Sequence, residues 1–197
     1  MIRFLDIVLS SIGLFILAPV FLIIAIAIKV NSKGPVFYLQ NRVGKQERIF
    51  KLFKFRSMRV NADRKGLLTI GNDSRITSVG KFIRQYKIDE LPQLFNVIKG
   101  DMSLVGPRPE VEKYTRLYNP EQKKLLLVRP GITDPASLFY KDESSILAKS
   151  NNPEQTYINQ VLPHKLTLSS SYALHPTPKK YFKFIFLTIF HIIRPNK

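Results

Sequence analysis

At 197 residues the chain is long enough for one domain with a substantial core and one appended element. Its 31 Lys and Arg against 14 Asp and Glu leave a net charge of +17. That surplus implies an anionic partner, whether nucleic acid, lipid head groups or a phosphorylated substrate. There is no cysteine, so disulfides and thiolate metal sites are excluded, and three histidines scattered at 164, 175 and 191 make no imidazole cluster.

Phe4 to Ile28 is almost continuously apolar, interrupted by Asp6, Ser10, Ser11, Gly13 and Pro19. About 20 apolar residues suffice to cross a bilayer. The run is too long for the apolar part of a signal peptide, and it lacks a small-residue cleavage site. It is apolar on every face, which argues against a core helix. Ala18-Pro19 falls in the middle, where proline removes a hydrogen bond. Arg3 precedes the run and Lys29 and Lys33 follow it, so the positive-inside preference draws both ends to the cytoplasm. Together these predict a re-entrant helix-break-helix over residues 1–30, with Pro19 as the membrane break. Residues 31–197 then lie on the cytoplasmic face.

The turn Asn31-Ser32-Lys33-Gly34-Pro35 ends that element. Val36 to Gln40 and Arg48 to Phe55 read as two short strands about a polar turn at Gly44-Lys45. Residues 61–74 are polar and read as a loop. Apolar residues at 76, 79, 82, 83 and 86 repeat with a helical period, leaving Lys81, Arg84 and Lys87 on the other face. Next comes Asp89-Glu90-Leu91-Pro92, with Asp89 as the expected N-cap and Pro92 in the first turn of a helix ended by Gly100. Cap-then-proline pairs recur at Asn119-Pro120, Asn152-Pro153 and Thr177-Pro178. The last opens an aromatic helix over Pro178 to Ile193, about 24 Å long and too short to span. It is expected in the membrane interface, packed on the N-terminal element, or in the core. The fold class is therefore mostly α with a short β-hairpin (α+β), attached to one membrane face.

Adjacent carboxylates are most often a solvated helix start. Here their setting points to phosphate chemistry, because a helix N-terminus favours anions and a strongly basic chain surrounds them. An ionised Asp89 can attack phosphorus and form an acyl phosphate, while Glu90 beside it can help hold Mg²⁺. Phosphoryl transfer also needs fixed cations around the equatorial oxygens. Lys54, Arg56, Arg84, Arg108 and Arg129 are the candidates. Arg108 leads them, since Pro107 and Pro109 stiffen its backbone on both sides. Lys54 and Arg56 serve an anionic lipid head group almost as well.

Over most of its length the chain resembles the bacterial sugar transferases, the monotopic phosphoglycosyl transferases. The densest likeness runs from Asp89 through Gly106-Pro107-Arg108-Pro109-Glu110. Lys54-Phe55-Arg56-Ser57-Met58, Arg84 and Arg129-Pro130-Gly131-Ile132-Thr133 also match family motifs. The resemblance implies transfer of a phosphosugar from a UDP-sugar to polyprenol (undecaprenyl) phosphate with release of UMP, the first membrane step of surface-glycan assembly. It implies Asp89 as the covalent nucleophile, Glu90 and Mg²⁺ beside it, Arg84 near the dyad, and Pro107-Arg108-Pro109 on the nucleotide or its phosphates. It also implies the inner membrane's cytoplasmic face, with membrane lipids and other glycan-assembly enzymes as partners and no nucleic acid. The form resembled is the minimal catalytic one. Two departures stand out: Ala18 replaces the usual serine before Pro19, and Asp134-Pro135-Ala136-Ser137 replaces a common Gly-Trp-Ala-Gln. Lys141 then stands where many members carry arginine, and it offers charge without a bidentate fork.

The rival reading is a membrane-tethered basic protein that binds anionic lipid or nucleic acid without catalysis. A scaffold that binds UDP-sugar without turnover is another. Neither accounts for the dyad and the proline-clamped Arg108, and no helix-turn-helix, RNA-binding or zinc signature is present.

Overall fold

The apolar N-terminal run forms one 30-residue helix, α1 (Ile2–Asn31), in the computed structural model, which describes residues 1–62, 66 and 68–193. The expected break does not occur: Pro19 lies inside the continuous helix. Proline deletes one intrahelical hydrogen bond, but an apolar stretch offers its backbone no other partners, so helical pairing persists on both sides. Asp6, Ser10, Ile24 and Ile28 form a buried stripe, whereas Phe4, Ile12, Phe15, Ile16, Leu22, Ile23, Ile26 and Val30 are exposed.

Both ends of α1 are fastened to the same folded body. At the start, the Arg3 guanidinium donates to the carbonyls of Val97 (2.7 Å) and Ile98 (3.0 Å). One turn later the buried Asp6 carboxylate accepts from Ser103 Oγ (3.0 Å), Leu104 N (2.9 Å) and Tyr181 Oη (2.9 Å). At the far end Arg56 donates to the carbonyls of Ser32 (2.7 Å) and Lys33 (2.5 Å).

Strands β1 (Phe37–Val43) and β2 (Ile49–Phe55) pair antiparallel, with Phe37 opposite Phe55 and Tyr38 opposite Lys54. β1 runs three residues beyond the expected end. Opposed residues share a face. One face brings Phe55 against Phe21 of α1, ring centroids 5.0 Å apart, while the other carries Lys54 and Arg42. That second face also carries the buried Phe50 and Leu52, so its cations sit at the edge of a second apolar cluster.

Helix α2 (Ser78–Gln85) is capped by Thr77, which accepts from Gly80 N at 2.9 Å. The chain then reverses through Lys87 in a left-handed conformation (φ 56°) and enters a tight 3₁₀ turn over Ile88–Glu90. Helix α3 begins only at Gln93 and ends at Lys99. Asp89 is therefore not the cap of α3. Lys87 and Ile88 carbonyls accept the turn's N–H groups of Glu90 (3.2 Å) and Leu91 (3.1 Å), which leaves the Asp89 side chain out of the backbone pairing. Asn96 of α3 holds the free edge of β2, accepting from Phe53 N (2.9 Å) and donating to the Lys51 carbonyl (2.8 Å).

Two three-residue strands, β3 (Ser103–Val105) and β4 (Gly131–Thr133), pair parallel. They are too short to show alternation in sequence. A Cβ on Gly131 would stand 2.0 Å from Gly106 N, so that crossing requires glycine. Two short helices, α4 (Glu112–Thr115) and α5 (Pro120–Lys123), lie between these strands, and α6 (Pro135–Phe139), α7 (Glu143–Ala148) and α8 (Pro153–Thr156) follow β4, with a π-turn (Tyr157–Val161) opening α9 (Leu162–Ala173). Asn119 and Asn152 cap as expected. Of the loop 61–74, residues 63–65 and 67 lie outside the described residues. Arg75 gathers the rest, donating to the carbonyls of Ala62 (2.9 Å), Gly66 (2.6 Å) and Leu68 (2.7 Å).

Of its three expected positions, helix α10 (Pro178–Ile193) takes the one packed on the N-terminal element. Tyr181 is buried and packs with Ile2, Leu5 and Leu9 of α1, while Phe182, Phe186, Ile189 and Phe190 remain exposed. The expected C-terminal residues 194–197 lie outside the described residues.

Asp6 is thus the polar joint between α1, β3 and α10. Asp6→Ala strands three donors, each worth roughly 1–3 kcal/mol when unpaired, and should lower the unfolding midpoint in detergent by about 6 °C or more. Tyr181→Phe removes only one of the three and should cost about a third as much. An unchanged midpoint for Asp6→Ala would show that the joint carries no stability.

Candidate active site

The 3₁₀ turn, β2 and the loop after β3 converge on the acidic pair. Glu90 takes the cations. The Arg108 guanidinium grips it with both nitrogens, one contact at 3.0 Å, and Lys54 Nζ stands 3.1 Å away. Burial works against the Glu90 charge, but Arg108 and Lys54 outweigh it and hold the carboxyl well below its usual range. Arg108, facing Glu90, is correspondingly held more firmly protonated. Burial pushes the Lys54 ammonium down, against the pull of Glu90.

Asp89 is treated oppositely. Its residue is only 5% exposed, and its carboxylate takes no hydrogen bond or ion pair from the described residues. Burial, then the neighbouring Glu90 charge, push its carboxyl upward, with Lys54, Arg84 and Lys87 opposing. One carboxylate is fixed as a salt-bridged anion and its neighbour is left uncommitted. That is the arrangement expected of an attacking group beside a fixed charge.

The other expected phosphate ligands divide. Arg84 acts on Asp89 through its charge, while its nitrogens bond Thr69 Oγ1 (3.1 Å) and Ser57 Oγ (3.4 Å). Pro107 and Pro109 hold the Arg108 loop through their carbonyls, which accept from Gly131 N (2.9 Å) and Arg42 Nη1 (3.0 Å). Three candidates are not brought to the dyad. Arg56 is buried and fastened to the end of α1, because a guanidinium can satisfy the last carbonyls of a helix and the turn after it. Arg129 donates to the Gly100 carbonyl (3.0 Å) at the far end of α3. Lys141 is exposed in the turn between α6 and α7, and its side chain joins no ion pair among the described residues. Asp134, at the unfamiliar Asp134-Pro135, caps α6 by accepting from Ser137 N (2.7 Å) and is fully buried, so that departure serves local structure.

Sequence reasoning missed Glu110, Arg42 and Lys165. Glu110 is buried beside the Arg108 loop and accepts from Tyr157 Oη (2.7 Å), with Arg42 at 3.5 Å and Lys165 at 3.7 Å. Only its place in the Gly106–Glu110 motif could have signalled it. A cavity of about 30 Å³ opens behind Pro107, Arg108 and Pro109, next to Lys165 and Ser169. It has room for roughly one water, so it is not a nucleotide site.

No group of three or more His, Asp or Glu side chains is assembled for a metal among the described residues. Two adjacent carboxylates fit Mg²⁺ in the manner of phosphoryl-transfer sites, where one or two carboxylates and the substrate's phosphates share the ion.

The site therefore joins an uncommitted acid to a frame of cations, on a body fastened along a membrane-length apolar helix. The chain belongs to the bacterial sugar transferase family, whose sequence model matches residues 1–194. It is 45% identical over 142 residues to the UDP-N-acetylgalactosamine-undecaprenyl-phosphate N-acetylgalactosaminephosphotransferase of Aeromonas hydrophila, covering 70% of this chain and 34% of that protein. It is 49% identical over 144 residues to the galactosyl transferase CpsE of Streptococcus agalactiae, covering 66% and 32%. With the UDP-glucose:undecaprenyl-phosphate glucose-1-phosphate transferase of Klebsiella pneumoniae it shares 43% over 149 residues, covering 73% and 32%. The chain therefore spans about a third of the length of each of these relatives.

The split between the carboxylates can be titrated. The protonated-carboxyl infrared band that disappears in Asp89→Asn should persist to a pH above the ordinary aspartate value of about 3.9. Arg84→Gln removes a cation that favours the ionised form and should move that midpoint further up. A midpoint at or below the ordinary value contradicts the assignment.

Proposed function

We propose that this chain transfers a sugar phosphate from a UDP-sugar to polyprenol phosphate at a membrane surface, releasing UMP. The observation that carries the reading is the pairing of an uncommitted, buried Asp89 with a Glu90 already neutralised by Arg108 and Lys54. The relatives named for undecaprenyl-phosphate transfer lend it support, and their names differ in the sugar.

In this scheme the Asp89 carboxylate attacks the phosphorus that bears the sugar. The bond from that phosphorus to the bridging oxygen breaks, and UMP leaves with that oxygen. An oxygen of polyprenol phosphate then attacks the same phosphorus, forming the diphosphate linkage and returning Asp89 as carboxylate. Each half is an in-line displacement, and positioned cations stabilise the equatorial oxygens. Arg108, held at the mouth of the site by its flanking prolines, is the cation best disposed for the donor's diphosphate. Lys54, which shares Glu90 with Arg108, supplies a second.

Mg²⁺ would be held by Asp89 and Glu90 together with phosphate oxygens of the donor, and when bound it neutralises diphosphate charge. Both Glu90 oxygens already face Arg108, so the protein's own residues reserve little for a metal before the donor arrives. The attachment of both α1 ends to one body supports a helix that enters one leaflet from the cytoplasmic face, with residues 31–197 forming the catalytic domain there. A helix crossing the bilayer would separate its ends by about 30 Å on opposite sides. The exposed aromatic face of α10 suits the interface beside it. Lipids around both helices, and the enzymes that extend the glycan, are the expected partners.

With purified chain in nanodiscs, a panel of UDP-sugars and polyprenol phosphate should give UMP. Asp89→Asn should lower turnover at least 10³-fold while remaining folded, a loss in the range seen when a covalent nucleophile is removed. Substantial UMP release by Asp89→Asn removes Asp89 as nucleophile. Mn²⁺, used as a paramagnetic stand-in, should give a protein-bound resonance only when UDP is present. Firm binding to the nucleotide-free protein contradicts the shared-metal arrangement.

A further inference from the structure

A second cluster of buried charge lies behind the Arg108 loop, and the chemistry above makes no use of it. Its centre is Glu110, whose side chain is 8% exposed against 29% for Arg108. One carboxylate reaches three separate elements. Tyr157 of the π-turn donates its hydroxyl at 2.7 Å, Arg42 of β1 lies at 3.5 Å, and Lys165 of α9 at 3.7 Å. Lys165 is bound in turn by Glu143 of α7 at 2.9 Å, and its ammonium lies 5.3 Å from the Tyr157 ring centroid.

We propose that Glu110 is the positioning residue for Arg108: it locks the Gly106–Glu110 loop to the β-hairpin and α9 so that the guanidinium meets the dyad in one fixed geometry. The proposal rests on the transferase reading. Four observations lead to it. Backbone bonds pin the loop on both sides of Arg108, with Pro107 O accepting from Gly131 N (2.9 Å) and Glu110 O from Val43 N (2.9 Å). Arg42 joins side chain to backbone, since the same guanidinium that faces Glu110 also donates to Pro109 O (3.0 Å). The cluster is neutral by count, Arg42 and Lys165 against Glu110 and Glu143, so it fixes the loop without drawing Arg108 off Glu90. Lastly, Glu110 stays ionised: burial opposes its charge, but Lys165, Arg42 and the Tyr157 hydroxyl together hold its carboxyl below the usual range.

The plain alternative is a core ion network that serves folding alone. A displaced loop distinguishes the two, because misplacing a phosphate clamp by about 1 Å can cost about 10²-fold in rate without unfolding the protein. Glu110→Gln should therefore lower kcat/KM for the UDP-sugar by roughly that factor and leave KM for polyprenol phosphate nearly unchanged. The loss should vanish in an Arg108→Ala background, where there is no guanidinium left to aim. Tyr157→Phe, which removes one donor without stranding a charge, should give a smaller loss with the same dependence on Arg108 and covers the case in which Glu110→Gln fails to fold. Losses that multiply with Arg108→Ala, or that fall equally on both substrates, overturn the positioning role. Wild-type protein that releases no UMP from any donor instead defeats the transferase reading itself.

Discussion

The half-buried ion triad of Glu90, Arg108 and Lys54 is the constraint on which the site depends. A carboxylate taken out of water is costly unless paired and hydrogen-bonded, and Glu90 has two cations at contact. Because Glu90 is satisfied in this way, Asp89 can remain buried and uncommitted one residue earlier. Two adjacent acids with the same environment would compete for the same cations and titrate together. Here the environments differ: one acid is held ionised, while burial and its neighbour's charge raise the proton affinity of the other.

Geometry makes that triad possible. Lys87 in a left-handed conformation turns the chain sharply after α2, and the ensuing 3₁₀ turn presents Asp89 and Glu90 side by side. The hairpin supplies Lys54 on one face and packs Phe55 on the other against α1. Asn96 links α3 to the hairpin edge, and Gly106 and Gly131 cross closely enough to fix the loop that bears Arg108. The same few elements therefore contact both the apolar helix and the charged dyad.

Much of this was legible in the sequence where the signal is local. The hairpin, α2, the asparagine caps and the aromatic last helix all follow from periodicity, capping and proline placement. Arg108 stands out through its prolines, and Lys54 and Arg84 through a positive charge suited to phosphate. What remained hidden depends on partners far along the chain. Asp6 looks like an interruption in a membrane segment until Ser103, Leu104 and Tyr181 are brought to it, up to 175 residues away. Arg56 reads as a lipid or phosphate ligand, but its carbonyl partners lie at the end of α1. Pro19 reads as a break because local rules count the lost hydrogen bond and not the lack of alternatives in an apolar stretch. Asp89 reads as a cap, since local rules do not anticipate the left-handed Lys87. Glu110 sits in the Gly106–Glu110 motif, yet its partners on β1, α9 and the π-turn carry no sequence signal pointing to it.

The most direct test of the account is intact-protein mass spectrometry after mixing the chain with UDP-sugars in the absence of polyprenol phosphate. The account predicts a mass increase of one sugar phosphate, mapped to Asp89, that disappears when polyprenol phosphate is added. UMP formed at full rate by the complete reaction, with no such adduct at any time after mixing and with turnover retained in Asp89→Asn, would contradict it.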